Sequence, residues 1–198
     1  MAQTVRITAL GDSLTQGYGL VADQGLVPQL QAWLTARGHD AEVLNAGVSG
    51  DTTAGGLSRL DWTLADQPDA VIVALGGNDL LRGLDPALSR ANLAGILERL
   101  RADGVPALLV GLPAPGNYGP EYQAAFAAMY PDLAEEYGAV LVADMLAPLS
   151  ARIEGGTAPR ALFQGDMIHP NANGVALVVE QLGPQVEVLI ARVHAGQS

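Results

Sequence analysis

The chain contains no cysteine and no lysine. The first absence excludes a disulfide framework, a thiol nucleophile and thiolate metal sites, and leaves the redox compartment open. The second excludes Schiff-base chemistry and a Walker-type phosphate loop. The ten basic residues are therefore all arginine, set against 21 acidic ones, for a formal net charge of −11. A field of that sign repels a phosphate backbone, so no general nucleic-acid binding is expected. Histidine is scarce, with only His39, His169 and His194. No stretch reads as the ~20 apolar residues of a membrane span, so no stable membrane insertion is expected. The N-terminal residues Met1 to Arg6 show no charged segment leading into an apolar one, as an export signal would.

What is present is a globular composition. Of 198 residues, 49% are hydrophobic and 16% charged, which points to one domain spanning 1–198 with a sizeable core. Apolar runs of strand length alternate with longer amphipathic segments. Strands are expected at Val5 to Leu10, Glu42 to Asn45, Ala70 to Leu75, Pro106 to Leu112 and Ala139 to Ala143. The run Ala70 to Leu75 (AVIVAL) is apolar throughout, as a strand buried on both faces must be. Helices are expected over about 25–37, around Leu57, Leu60 and Leu64, over Pro86 to Arg101, about 120–137, and from near Asn171 to near Arg192. This alternation predicts a three-layer α/β/α domain with a five-stranded parallel sheet in the flavodoxin-like order 2-1-3-4-5.

In such sheets ligands bind beyond the carboxyl ends of the strands. The segments there are Gly11-Asp12-Ser13-Leu14, Asn45 to Asp51, Gly76-Gly77-Asn78-Asp79 and Leu112 to Asn117, with Asp166 to Pro170 just before the last helix. Only one of the three histidines, His169, falls on this edge. Asp166 lies three residues earlier, within reach to orient an imidazole through Nδ1 and leave Nε2 as a base. Read alone, Asp166 to Pro170 is also an ordinary helix entry. Ser13 is either a helix N-cap or a nucleophile activated by His169. It is not in a Gly-x-Ser-x-Gly elbow, because position 15 is Thr. Oxyanion donors are available from the Ser13 N–H, a glycine N–H after the second strand (Gly47 and Gly50 being equivalent on composition) and the Asn78 amide. Asp12 reads as a structural hydrogen-bonding residue. Asp12, Asp166 and His169 make a poor metal ligand set.

GDSL at 11–14, Gly50 within NAGVSGDT, GGND at 76–79 and DMIHP at 166–170 resemble the four blocks of the SGNH (GDSL) hydrolases. The resemblance runs from about residue 5 to about 190. SGDTTAGGLSRL, ALGGNDLLRGL and LPAPGNYGPEYQAAFAAMYP are similar to the bacterial acyl-CoA thioesterase I / lysophospholipase L1 / arylesterase group. It implies a serine esterase acting on aryl esters, short-to-medium acyl esters, acyl-CoA or lysophospholipid. Ser13 would be nucleophile, His169 base and Asp166 the orienting acid, with Ser13, Gly50 and Asn78 forming the oxyanion hole. No metal or cofactor is implied, and the partner is a small acyl ester or thioester. Sugar O-deacetylation and acyl transfer by the same triad are the alternatives, and a non-catalytic binding module is the remaining one. Leu80, Leu81, Leu112, Pro113, Pro115 and Met167 are the expected apolar wall. Met167 stands where the block often has glycine. The oligomeric state is unreadable. The resemblance implies the periplasm if a leader has been removed; otherwise the cytoplasm is expected.

Overall fold

The computed structural model describes residues 4–114 and 116–196. Five strands, β1 (Val5–Gly11), β2 (Ala41–Gly47), β3 (Ala70–Ala74), β4 (Ala107–Val110) and β5 (Val140–Val142), form one sheet in the order β2-β1-β3-β4-β5. Every pairing is parallel, with Gly11 opposite both Gly47 and Ala74. The sheet therefore ends level at β1, β2 and β3, so the loops that follow them emerge side by side. All five residues of β3 are buried, as its unbroken apolar run requires.

Helices cover both faces. On one side α2 (Leu26–Ala36) packs on α9 (Ala172–Gly196), and on the other α6 (Pro86–Ala102) packs on α7 (Pro120–Tyr137) and on α3 (Thr53–Ser58). Helix α6 starts cleanly because Asp85 accepts the Ala87 N–H and Pro86 occupies the first turn, where no N–H is needed. Its Leu93, Ile96, Leu97 and Leu100 form the buried stripe that the sequence spacing marks.

Helix α9 departs from expectation in one respect. It runs to Gly196, and its most apolar 18-residue window has a mean hydropathy of 1.3, which by length and composition would suffice to cross a bilayer. Half of that window is buried in the fold, with Val175, Val178, Leu182, Val186 and Leu189 in the core. The apolar excess is thus used on the sheet and on α2.

Three further differences concern short elements. The segment around Leu57 to Leu64 is two helices, α3 and α4 (Leu60–Leu64), interrupted at Arg59. Asn78 lies inside a short helix, α5 (Gly77–Leu81), which the sequence pattern does not mark. A helix absent from the sequence reading, α8 (Ala147–Glu154), follows β5 and packs on α9.

Candidate active site

Ser13 opens a four-residue helix, α1 (Ser13–Gln16), directly after β1. Asp12 caps it, accepting the Leu14 N–H at 3.0 Å, and Gly17 ends it in the left-handed conformation. The nucleophile candidate is thus held on a tight turn at the carboxyl end of the central part of the sheet. Across the groove, the loop before α9 folds around Asp166. One of its oxygens accepts the backbone N–H groups of Ile168 and His169, each at 3.0 Å. The other lies 2.6 Å from His169 Nδ1. His169 Nε2 is 2.9 Å from Ser13 Oγ. The three side chains form one unbroken hydrogen-bonded line.

The electrostatics follow from these contacts. Asp166 is pulled down to about 2 from the ordinary 3.8, first by the bond to His169 and then by the two backbone N–H groups. It therefore stays ionised at neutral pH and favours the proton on Nδ1, which leaves Nε2 able to accept a hydrogen bond from the Ser13 hydroxyl. Asp12 behaves oppositely. It is only 3% exposed, and burial pushes its carboxyl up to about 6, more than the Leu14 N–H pulls it down.

Ser13, Gly50 and Asn78 line one groove. The turn from Val48 to Asp51 is closed by the Asp51 N–H donating to the Val48 carbonyl at 3.1 Å, and Gly50 sits in it at φ +81°. A side chain is strained in that conformation, which is the reason for glycine there. Gly47 is a glycine for another reason, because an added Cβ would stand 2.3 Å from the Gln16 nitrogen. Its N–H is already given to Asn45 Oδ1 at 2.9 Å. The structure thus separates two glycines that composition leaves equivalent. The Ser13 and Gly50 N–H groups have no acceptor among the described residues. Asn78 Nδ2 donates to the Asp51 carbonyl at 2.9 Å, and its second contact, to Asp12 Oδ2, is long at 3.4 Å.

Arg59 ties the Gly50 turn to the strand ends. Its guanidinium holds the Asp51 carboxylate at 2.7 Å, the Ala46 carbonyl at 2.8 Å and the Gly11 carbonyl at 3.0 Å, joining the ends of β1 and β2 to the Gly50 turn. Asp79, the last residue of GGND, is fully engaged in packing α5, accepting the Thr53 N–H and the hydroxyls of Thr53 and Ser89. Among the described residues, no group of three or more His, Asp or Glu is placed to hold a metal ion.

These groups line a groove of about 420 Å³. Of the expected wall residues, Leu80, Leu81, Leu112 and Pro113 line it. Pro115 lies outside the described residues. Met167 requires correction, because it does not line the groove and is 45% exposed. It occupies a left-handed turn at φ +58°, the position a glycine would favour, and the turn presents Ile168 to the groove in its place. Sequence reasoning also missed Tyr18, Leu146 and Ile168 as lining residues. Tyr18 packs its ring 4.8 Å from that of His169. Its position just after the Gly17 turn was the available signal; Leu146 had none, since it comes from the unread segment after β5.

Comparison with known proteins places the chain in a family. The family described as GDSL-like Lipase/Acylhydrolase matches residues 9–177, which take in the end of β1, the whole of β2 to β5 and every segment of the groove. The chain belongs to the GDSL-like lipase/acylhydrolase family. It is 40% identical to esterase TesA of Pseudomonas aeruginosa over 190 residues, covering 96% of this chain and 90% of that one. It is 34% identical to thioesterase 1/protease 1/lysophospholipase L1 of Escherichia coli over 182 residues, 91% of this chain and 83% of that one. A crystal structure of TesA superposes with a TM-score of 0.83 at 39% identity, covering 93% of this chain and 99% of that one. This family member is a serine hydrolase of the esterase and thioesterase class, acting on small-molecule esters.

Proposed function

We propose that the chain is a single-domain esterase that works through an acyl-enzyme on Ser13. The observation that carries this reading is the continuous line Ser13 Oγ, His169, Asp166, with bonds of 2.9 and 2.6 Å. Ser13 Oγ attacks the carbonyl carbon while its proton passes to His169 Nε2. The tetrahedral oxyanion takes hydrogen bonds from the Ser13 N–H, the Gly50 N–H and the second hydrogen of Asn78 Nδ2. Collapse breaks the bond to the alcohol or thiol, which leaves with the proton from His169. Water then gives its proton to His169, attacks the acyl-enzyme, and releases the acid with Ser13 restored. Asp166 remains a carboxylate throughout and stabilises the imidazolium formed in each half.

The substrate preference follows from the walls. Leu80, Leu81, Leu112, Pro113, Leu146 and Ile168 favour an acyl chain or aryl group over a sugar, which would need hydroxyl partners. Resemblance to the exported members of the group supports a periplasmic site of action. Initial rates on p-nitrophenyl esters from acetate to palmitate, with Ser13→Ala alongside, test the reading. Activity peaking at one chain length and abolished in the variant is expected. Retention of a tenth of the rate in Ser13→Ala would end it.

A further inference from the structure

Ser13 and His169 lie 156 positions apart, and their reaction depends on a separation held to a few tenths of an ångström. We infer that Gln164 is the positioning residue that sets this separation, by tying the nucleophile segment to the base loop through its side-chain amide. The inference rests on the roles proposed above for Ser13 and His169.

On the nucleophile side, Gly17 and Tyr18 both donate their N–H groups to the Ser13 carbonyl at 3.0 Å. The Tyr18 backbone is therefore rigidly related to Ser13. On the base side, the Gln164 N–H donates to the His169 carbonyl at 2.8 Å, and its own carbonyl accepts the Met167 N–H at 3.1 Å. A bridge between Phe163 and Pro170 closes the stem of the same loop. Gln164 thus belongs to the frame that carries His169. Its Nε2 donates to the Tyr18 carbonyl at 2.8 Å and to the Pro170 carbonyl at 3.0 Å. A primary amide has two hydrogens, so both are used, one within the base loop and one across to the nucleophile segment. Among the described residues, the only other hydrogen bond joining 12–20 to 160–171 is the one between Ser13 and His169 themselves. The same tie seats the Tyr18 ring against the imidazole.

No other side chain of this length meets these demands. Glutamate at neutral pH has the shape and no donor, methionine has the reach and no polar hydrogen, and asparagine is one carbon short. Releasing the tie lets the base loop shift relative to α1, and a displacement near 1 Å costs about a hundredfold in rate even when the change lies outside the reacting atoms.

The test compares Gln164→Met and Gln164→Glu with wild type and with Ser13→Ala on p-nitrophenyl butyrate, together with the low-field proton resonance of His169 Nδ1. The Asp166–His169 pair is built within its own turn, so that resonance reports the loop's internal fold independently of its distance from Ser13. A fall in kcat of about ten- to a hundredfold in both variants, with KM within about twofold and the resonance retained, is expected. A kcat within twofold of wild type overturns the inference. So does loss of the resonance with the activity, or failure of both variants to fold, since Gln164 would then merely keep the loop intact. Full activity in Ser13→Ala would instead remove the reading beneath it, whereas an inactive Ser13→Ala beside fully active Gln164 variants would sink this inference alone.

Discussion

Asp12 Oδ2 lies 3.4 Å from Asn78 Nδ2, while the same nitrogen makes a 2.9 Å bond to the Asp51 carbonyl. One hydrogen of the Asn78 amide is therefore firmly placed, and the other is loosely held by a buried carboxylate. The firm bond orients the amide, and the loose one is the hydrogen an oxyanion can capture without losing a good partner. Replacing Asn78 by Ala should lower kcat by about 10²–10³ with little change in KM, because the interaction develops only in the transition state. Steady-state kinetics on one ester decide this, and an equal rise in KM with kcat unchanged would assign Asn78 to ground-state binding.

Asp12 should make the protein less stable as pH rises. Its folded-state value of about 6 lies above the ordinary 3.8, so the folded chain holds the extra proton between those values. The stabilisation linked to that proton is complete below about 3.8 and is lost as pH rises through about 6. Asp12→Asn removes the buried charge and keeps an oxygen for the Leu14 N–H. At pH 8 the variant should be more stable than wild type by about 1–3 kcal/mol, and the gap should shrink between pH 6 and 4. Urea melts across that range test it, and a pH-independent difference would show that Asp12 does not titrate there.

Asp166 has the opposite sign. Its value of about 2 lies below the ordinary 3.8, so its contribution is present above 3.8 and is lost as pH falls through about 2. A carbon NMR titration of the Asp166 carboxyl should find its midpoint near 2. A midpoint near 4 would mean that the bond to His169 does not persist in solution. In activity, Asp166→Asn should lower kcat by about 10⁴, the size seen when an orienting acid of this kind is replaced.

Met167 is held at φ +58° and does not line the groove. Glycine relieves the strain of a left-handed residue but adds freedom to the unfolded chain, and the two effects partly offset. Met167→Gly should raise stability by about 1 kcal/mol or less and leave the acyl-chain profile unchanged. A shifted profile would show that the Met167 side chain reaches the substrate.

The elements legible from sequence were those written in local pattern. The apolar run Ala70 to Leu75 and the spacing of Leu93, Ile96, Leu97 and Leu100 carry their periods in the residues themselves. Helix α8 was not read, since it is only eight residues long and Leu149 alone among them is buried, too few apolar positions to mark a repeat. The break between α3 and α4 arises at Arg59, whose guanidinium is drawn to Gly11, Ala46 and Asp51, partners that no local pattern announces.

By itself the sequence determined the strand order, the edge of the sheet where polar residues gather, and the candidates Ser13, Asn78, Asp166 and His169. Parallel βα units and strand-end turns are short-range features, and they leave few arrangements open. Only the tertiary structure gave the physical reason that sets Gly50 apart from Gly47, brought Ile168 rather than Met167 to the groove, and joined Gln164 to Tyr18. Each of those depends on backbone torsion at one residue or on a contact between segments far apart in the chain, and hydrophobic periodicity encodes neither.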